Sequence, residues 1–196
     1  MHRIYTTDGY ILGGKNVGEA NRYYYILTRD LGLVIASAQS VRSHASKLKA
    51  SLQDFSYSSI SLVHGKNGWK ITNASVYHSV FSNIQHNKPA MHVCANIFAV
   101  IKRLVVGEVI DAQLFNIVHD GMTFLLSLPN PSALEIRSIE TILVARIIDV
   151  LGYVGDDTVI KQFLLKEWST VLLGESIAHD SHMRSQINAS LKVSDL

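Results

Sequence analysis

Two hydrophobic periods divide this chain. Up to about Val80, apolar and polar residues alternate in short runs rich in Tyr, Ile, Val and Thr, separated by Gly, Asn and Asp, which predicts strands. The runs are Tyr5 to Leu12, Arg22 to Thr28, Leu33 to Ala38, Ser56 to His64 and Trp69 to Tyr77. The last two flank Gly65-Lys66-Asn67-Gly68, whose Asn-Gly pair predicts a hairpin because both residues accept positive φ. From Asn83 the period becomes helical, with Val93, Ile97, Val100, Ile101 and Leu104 on one stripe and Leu114, Ile117, Val118 and Met122 on the next. Further helices are predicted from Ser132 to Leu151, opened by a Ser132/Glu135 capping box and stopped at Gly152, from about Asp156 to Trp168, and from His182 to Val193. Pro129-Asn130-Pro131 breaks the helical part.

Strands followed by helices, without alternation, predict an α+β chain: a five-stranded barrel over residues 1–80, then an α-helical domain over 81–196. The pattern alone fits an oligonucleotide-binding (OB) barrel and an SH3-like barrel equally.

At 196 residues, 47% hydrophobic and only 17% charged, the chain can bury a core, which excludes disorder and a large multidomain enzyme. Its net charge of +2 hides an asymmetry: residues 1–80 carry nine Lys/Arg against four Asp/Glu, residues 81–196 nine against twelve. A polyanion would therefore meet the N-terminal part. Cys94 is the only cysteine, which excludes an internal disulfide and a cysteine zinc cluster. With Asp8 interrupting the N-terminus and no long uncharged run, the expectation is a soluble cytoplasmic, nucleoid-associated protein without a membrane partner.

Several motifs imitate catalytic chemistry. Gly9 to Gly14-Lys15-Asn16 approaches a phosphate loop, but Asn16 replaces the hydroxyl residue and a strand follows where a helix is needed. His179 and His182 have helical spacing without further ligands nearby, and His119-Asp120-Gly121 has no nucleophile elbow to serve. Cys94, within an apolar stripe, reads as a core thiol. No complete catalytic set is present, so neither enzymatic activity nor a cofactor or metal is expected.

The segment from Val41 to Lys49 differs in kind: Arg42, His44, Lys47 and Lys49 sit among serines, with no carboxylate from Leu31 until Asp54. Cations with neutral hydroxyl and amide donors are what a phosphate backbone requires. Arg22 and Arg29 extend this DNA-binding set, Lys15, Lys66 and Lys70 are outer contributors, and Tyr23, Tyr24, Tyr25 and Trp69 are stacking candidates. Strand alternation requires at least one of the three tyrosines to be core.

Read in order, Gly18-Glu19, Arg22, Ile26-Leu27-Thr28, Gly32-Leu33-Val34, Val41-Arg42 with Ser46-Lys47, and Leu52-Gln53-Asp54-Phe55 resemble the N-terminal domain of the bacterial recombination mediator RecO. Leu151-Gly152-Tyr153 and Ile187-Asn188-Ala189-Ser190-Leu191 extend the resemblance into the helical part. Where the family usually has Gly-Val-Arg, this chain has Ser40-Val41-Arg42, and it lacks the cysteine zinc cluster of many members. The resemblance implies an OB barrel and a non-catalytic protein that binds single- and double-stranded DNA and anneals complementary strands. It also implies help in loading RecA with a RecR-like partner onto DNA coated by single-stranded-DNA-binding protein, whose C-terminal tail is an expected partner. The alternative is a protein-protein adaptor in a repair complex with weak or no DNA binding. For an adaptor, an exposed apolar groove in the helical part with a basic rim, for example around Lys102 and Arg103, would suit an acidic, hydrophobic-ended tail.

Overall fold

The computed structural model describes residues 3–43, 45–80, 86–105 and 112–193. It divides into two compact units, Met1–Gln85 with Val106–Phe115, and His86–Val105 with Asn116–Leu196.

In the first unit, β1 (Ile4–Val17), β2 (Asn21–Thr28), β3 (Gly32–Ala38), β4 (Ser56–Gly65) and β5 (Gly68–Ser79) close a barrel in the order β1-β2-β3-β5-β4. A single helical turn, α1 (Leu48–Ser51), lies between β3 and β4. All pairings are antiparallel except β3 to β5, where Ala36 meets Trp69 and Ser37 meets Lys70. This is the predicted OB barrel. Its core holds Ile11, Ile26, Val34, Ile60 and Leu62, contributed by alternate positions of four strands.

The strand β1 runs five residues beyond the predicted Leu12, because it must pair first with β4 and then with β2. The partners overlap at Gly9 and Tyr10, and the pairing with β2 then passes a bulge between Ile11 and Gly13, where Gly13 takes φ 121°. Gly14 is needed for a different reason: a Cβ there would lie 2.3 Å from the Tyr23 carbonyl oxygen. The glycines that imitate a phosphate loop thus serve barrel closure. The hairpin forms with Gly65 opposite Gly68, but only Gly68 of the turn takes positive φ, at 88°; Asn67 does not. Ser40 has φ 53°, and its amide donates to the Asn21 side chain at 3.0 Å.

The second unit contains α2 (Lys88–Leu104), most of α3 (Ala112–Ser127), α4 (Ala133–Val150), α5 (Thr158–Leu164), α6 (Thr170–Ile177) and α7 (Asp180–Val193). The capping box at Ser132 and Glu135 is present, and Asp157 caps α5 by accepting from the Val159 and Ile160 amides. Helix α4 packs against α2, α5, α6 and α7, and Ile139, Ile142, Ala145, Ile147 and Ile148 are buried along it. Gly121 admits the Leu143 side chain, which would lie 2.8 Å from an added Cβ. Cys94 is buried against Met122, sulfur to sulfur 3.6 Å, and burial pushes its thiol up to about 12.

One predicted helix is corrected. The segment from Asp156 to Trp168 is helical only over α5, and a second short helix, α6, follows. Arg146 of α4 donates from Nε to the Phe163 carbonyl at 3.0 Å and from Nη2 to the Lys166 carbonyl, so the chain leaves the helix to satisfy a buried guanidinium. The predicted helical start at Asn83 lies outside the described residues.

Candidate nucleic-acid interface

Pairing register places four side chains in one row across the outer face of the barrel: Lys15 on β1 opposite Tyr23 on β2, Tyr23 opposite Ser37 on β3, and Ser37 opposite Lys70 on β5. Alternation fixes their direction, since the neighbours Tyr24, Ala36 and Trp69 point into the core. Lys15 and Lys70 are exposed at the ends of the row, and the Tyr23 ring between them is 39% exposed. Tyr25 and the exposed Ile35 form the next row on the same face. An aromatic surface flanked by cations matches a strand whose bases stack while its phosphates run past fixed charges.

Of the predicted stacking candidates, Tyr23 faces outward and Tyr25 is half-buried, whereas Tyr24 and Trp69 are buried and are corrected to core residues. Trp69 meets the rings of Tyr5 and His64 edge-on. The Tyr24 phenol is raised above its ordinary pKa by burial, with Arg22 opposing the shift.

A second group of cations gathers at one end of the barrel. Arg22, Arg42 and Lys49 line a concavity of about 260 Å³ together with Tyr24, Val41, Leu52, Gln53 and Asp54. Arg22 shares the inward parity of Tyr24, over whose ring its guanidinium sits at 5.1 Å, and its Nη2 donates to both Asp54 oxygens at 2.8 and 2.9 Å. Among the described residues, its buried Nε has no hydrogen-bond partner. Arg42 donates to the Gly18 carbonyl at 3.0 Å, which ties the β3–α1 connection to the β1–β2 turn.

The loop that carries Asp54 is tightly held. Leu52 is buried in the core, Ser58 donates to the Ser51 carbonyl at 2.8 Å, Ser56 donates to the Gln53 carbonyl at 2.8 Å, and the Phe55 amide donates to the Ile11 carbonyl at 2.9 Å.

The remaining predicted residues are distributed around these two groups. Lys47 is exposed at the N-terminus of α1, and Lys66 is exposed on the β4–β5 turn. Arg29 follows the opposite end of β2, ~23 Å along the strand from Arg22 at the usual rise per residue. There it lies 3.8 Å from Asp8 and donates to the Tyr57 hydroxyl at 3.4 Å, which places it in another cluster. His44 lies outside the described residues. The sequence reading missed Ser37, Ile35 and Asp54; the alternation of β3 carried a signal for the first two, but nothing local pointed to Asp54.

Residues 1–80 match the family model described as "Recombination protein O N terminal". Over this N-terminal stretch the chain is similar to the RecO family. A "DNA repair protein RecO" of Dehalococcoides mccartyi is 37% identical over 93 residues, covering 46% of this chain and 37% of that protein. The "DNA repair protein RecO" sequences of Heliobacterium modesticaldum and Alkaliphilus metalliredigens are each 27% identical, over 151 and 149 residues, covering 77% and 76% of this chain and 52% and 57% of theirs. The chain thus spans between a third and three-fifths of the RecO relatives it matches. Among the described residues, no helix is long and apolar enough to cross a membrane, and no three His, Cys, Asp or Glu side chains gather as a metal site. His182 instead pairs with Asp157 at 2.8 Å, and His179 packs against Phe163.

Proposed function

We propose that this chain is a non-catalytic DNA-binding mediator of repair and recombination, whose barrel holds a nucleic-acid strand along the outer β2–β3 face. The row of Lys15, Tyr23, Ser37 and Lys70 carries the reading, because it combines an exposed ring with a cation on each side in one register. Lys66, Lys47 and Lys49 widen the electrostatic footprint, and Arg22 and Arg42 supply it at the barrel end. Strand annealing follows from the same surface: cations screen the repulsion between two phosphate backbones, and a shallow face leaves the Watson–Crick edges free to pair. Binding to single and double strands and help in RecA loading with a RecR-like protein complete the role.

The test is fluorescence anisotropy of a labelled single-stranded oligonucleotide across a salt series, followed by an annealing assay with its complement. Log affinity is expected to fall linearly with log salt, and annealing to exceed the spontaneous rate. Absence of binding at low salt would transfer the role to the adaptor reading.

The adaptor reading has one observation of its own. Asn96, Val100, Val144, Ile187 and Leu191 line a largely apolar concavity of about 290 Å³ in the helical unit, with Arg184 and Glu140 beside them. A hydrophobic-ended acidic tail, such as that of single-stranded-DNA-binding protein, would seat its apolar end there and its carboxylates on Arg184. The earlier expectation centred on Lys102 and Arg103, which are exposed on α2. Arg184→Glu should abolish capture of a synthetic acidic tail peptide while leaving oligonucleotide affinity unchanged.

A further inference from the structure

The concavity at the barrel end has features that an open cationic face lacks. Its three cations, Arg22, Arg42 and Lys49, face one carboxylate, Asp54. Arg22 is held from several sides: the Tyr24 ring lies 5.1 Å from its guanidinium carbon, Asp54 accepts from Nη2, and Nε lies so near Gly14 that an added Cβ would come within 2.8 Å of it. A side chain fixed in this way presents its donors without further ordering cost. Among the described residues, the buried Nε–H has no acceptor, so it reports on any change in how the guanidinium is held. The volume of about 260 Å³ greatly exceeds the ~30 Å³ of a single water and admits a phosphate group.

We propose that this concavity is a seat for one phosphodiester of the bound strand, with Asp54 as a resident anion that the phosphate displaces. The inference rests on the nucleic-acid reading above and adds a defined site to it. Asp54 turns both its oxygens to a single Arg22 nitrogen, whereas the two non-bridging oxygens of a phosphodiester, set tetrahedrally, can be divided among Arg22, Arg42 and Lys49. The carboxylate keeps Arg22 oriented while no strand is bound. It also subtracts one charge from the site, so that a small anion gains little there and a strand anchored elsewhere on the barrel gains more. Asp54 therefore tunes the selectivity of the barrel for polymeric over free phosphate.

The experiment follows the Arg22 Nε–H resonance in the ¹⁵N-labelled full chain, assigned through Arg22→Lys, during titration with three probes: inorganic phosphate, a 5′-phosphorylated oligonucleotide and the same oligonucleotide ending in a hydroxyl. Both oligonucleotides are expected to move the resonance equally, and inorganic phosphate to move it only at much higher concentration. Preference for the 5′-phosphorylated strand would replace the internal phosphodiester by a terminal phosphate and overturn the proposal as stated. Anisotropy supplies the second readout: Asp54→Asn should tighten strand binding about fivefold by removing a nearby like charge, and steepen the salt slope by about 0.7. Lys49→Ala changes an exposed side chain outside the Arg22–Asp54 pair, so it should weaken binding without disturbing the fold. Strand binding with an unmoved Arg22 resonance and unchanged affinity in Asp54→Asn and Lys49→Ala would overturn the seat and leave the outer face standing. Loss of strand binding in wild type, with the resonance moved by inorganic phosphate, would remove the strand as occupant and the nucleic-acid reading with it.

Discussion

Arg22 in the barrel and Arg146 in the helical unit are both arginines laid over an aromatic ring, at 5.1 Å from Tyr24 and 4.5 Å from Trp168, yet they do opposite work. Arg146 bonds the backbone carbonyls of Phe163 and Lys166, groups that would otherwise be orphaned at the end of α5. Its chemistry is consumed by the fold, and burial lowers its pKa without bringing it near deprotonation, since a guanidinium stays charged in proteins. Arg22 bonds a single carboxylate that another anion can replace, and among the described residues its buried Nε has no acceptor. What satisfies the donors of a cation, more than its burial, decides whether it supports structure or a ligand.

The sharpest way to break that contrast is to remove Arg146. Arg146→Met should cost about 2–4 kcal/mol of stability, because two carbonyls lose a charged partner, measured by urea unfolding. Strand affinity should be unchanged at temperatures where the variant is folded. A variant with undiminished stability and weakened binding would reverse the assignment of the two arginines.

Next in size is the ring on the outer face. Tyr23→Ala should lose about 1–3 kcal/mol of strand binding as a stacking surface disappears, whereas Tyr23→Phe should keep most of it. Equal affinities for wild type and Tyr23→Ala would remove stacking from the account.

A smaller effect concerns Ser40, whose φ of 53° costs a residue with a Cβ more than it costs glycine. Ser40→Gly should stabilise the barrel by about 0.5 kcal/mol, the relief of strain being partly offset by the greater freedom of glycine when unfolded. A lower urea midpoint for this variant would show that the serine is accommodated without strain.

The smallest effect under ordinary conditions is Cys94. Its folded pKa of about 12 lies above the unfolded value near 9.0, so the folded state holds its proton more tightly. The stabilisation is complete below pH 9 and is lost as pH rises toward about 12, since unfolding then releases a proton. Urea midpoints should fall more steeply over that range in wild type than in Cys94→Val; parallel curves would contradict the burial of the thiol.

Much of this was legible in the sequence because it was local. The five strands followed from alternation, the capping box from Ser132 and Glu135, and the basic connector from the absence of carboxylates between Leu31 and Asp54. What escaped was non-local. The extension of β1 past Leu12 continues its pairing with β2 through the bulge at Ile11/Gly13, after its pairing with β4 has ended at Tyr10, which only closure of the barrel requires. Arg22 looks like a surface cation until β2 parity aligns it with Tyr24, and its partner Asp54 is 32 residues away. The break after Leu164 is set by Arg146, 18 residues earlier and on another helix. The row from Lys15 to Lys70 uses four strands, so no window of sequence contains it.

The most direct test of the central claim compares wild type with the Lys15→Ala, Lys70→Ala double variant, measuring single-strand affinity by anisotropy across a salt series. The account predicts a linear fall of log affinity with log salt for both proteins, with the slope of the double variant shallower by about 1.4, the share of two phosphate contacts. Coincident slopes and affinities would contradict it, and would show that the outer β2–β3 face is not where the strand lies.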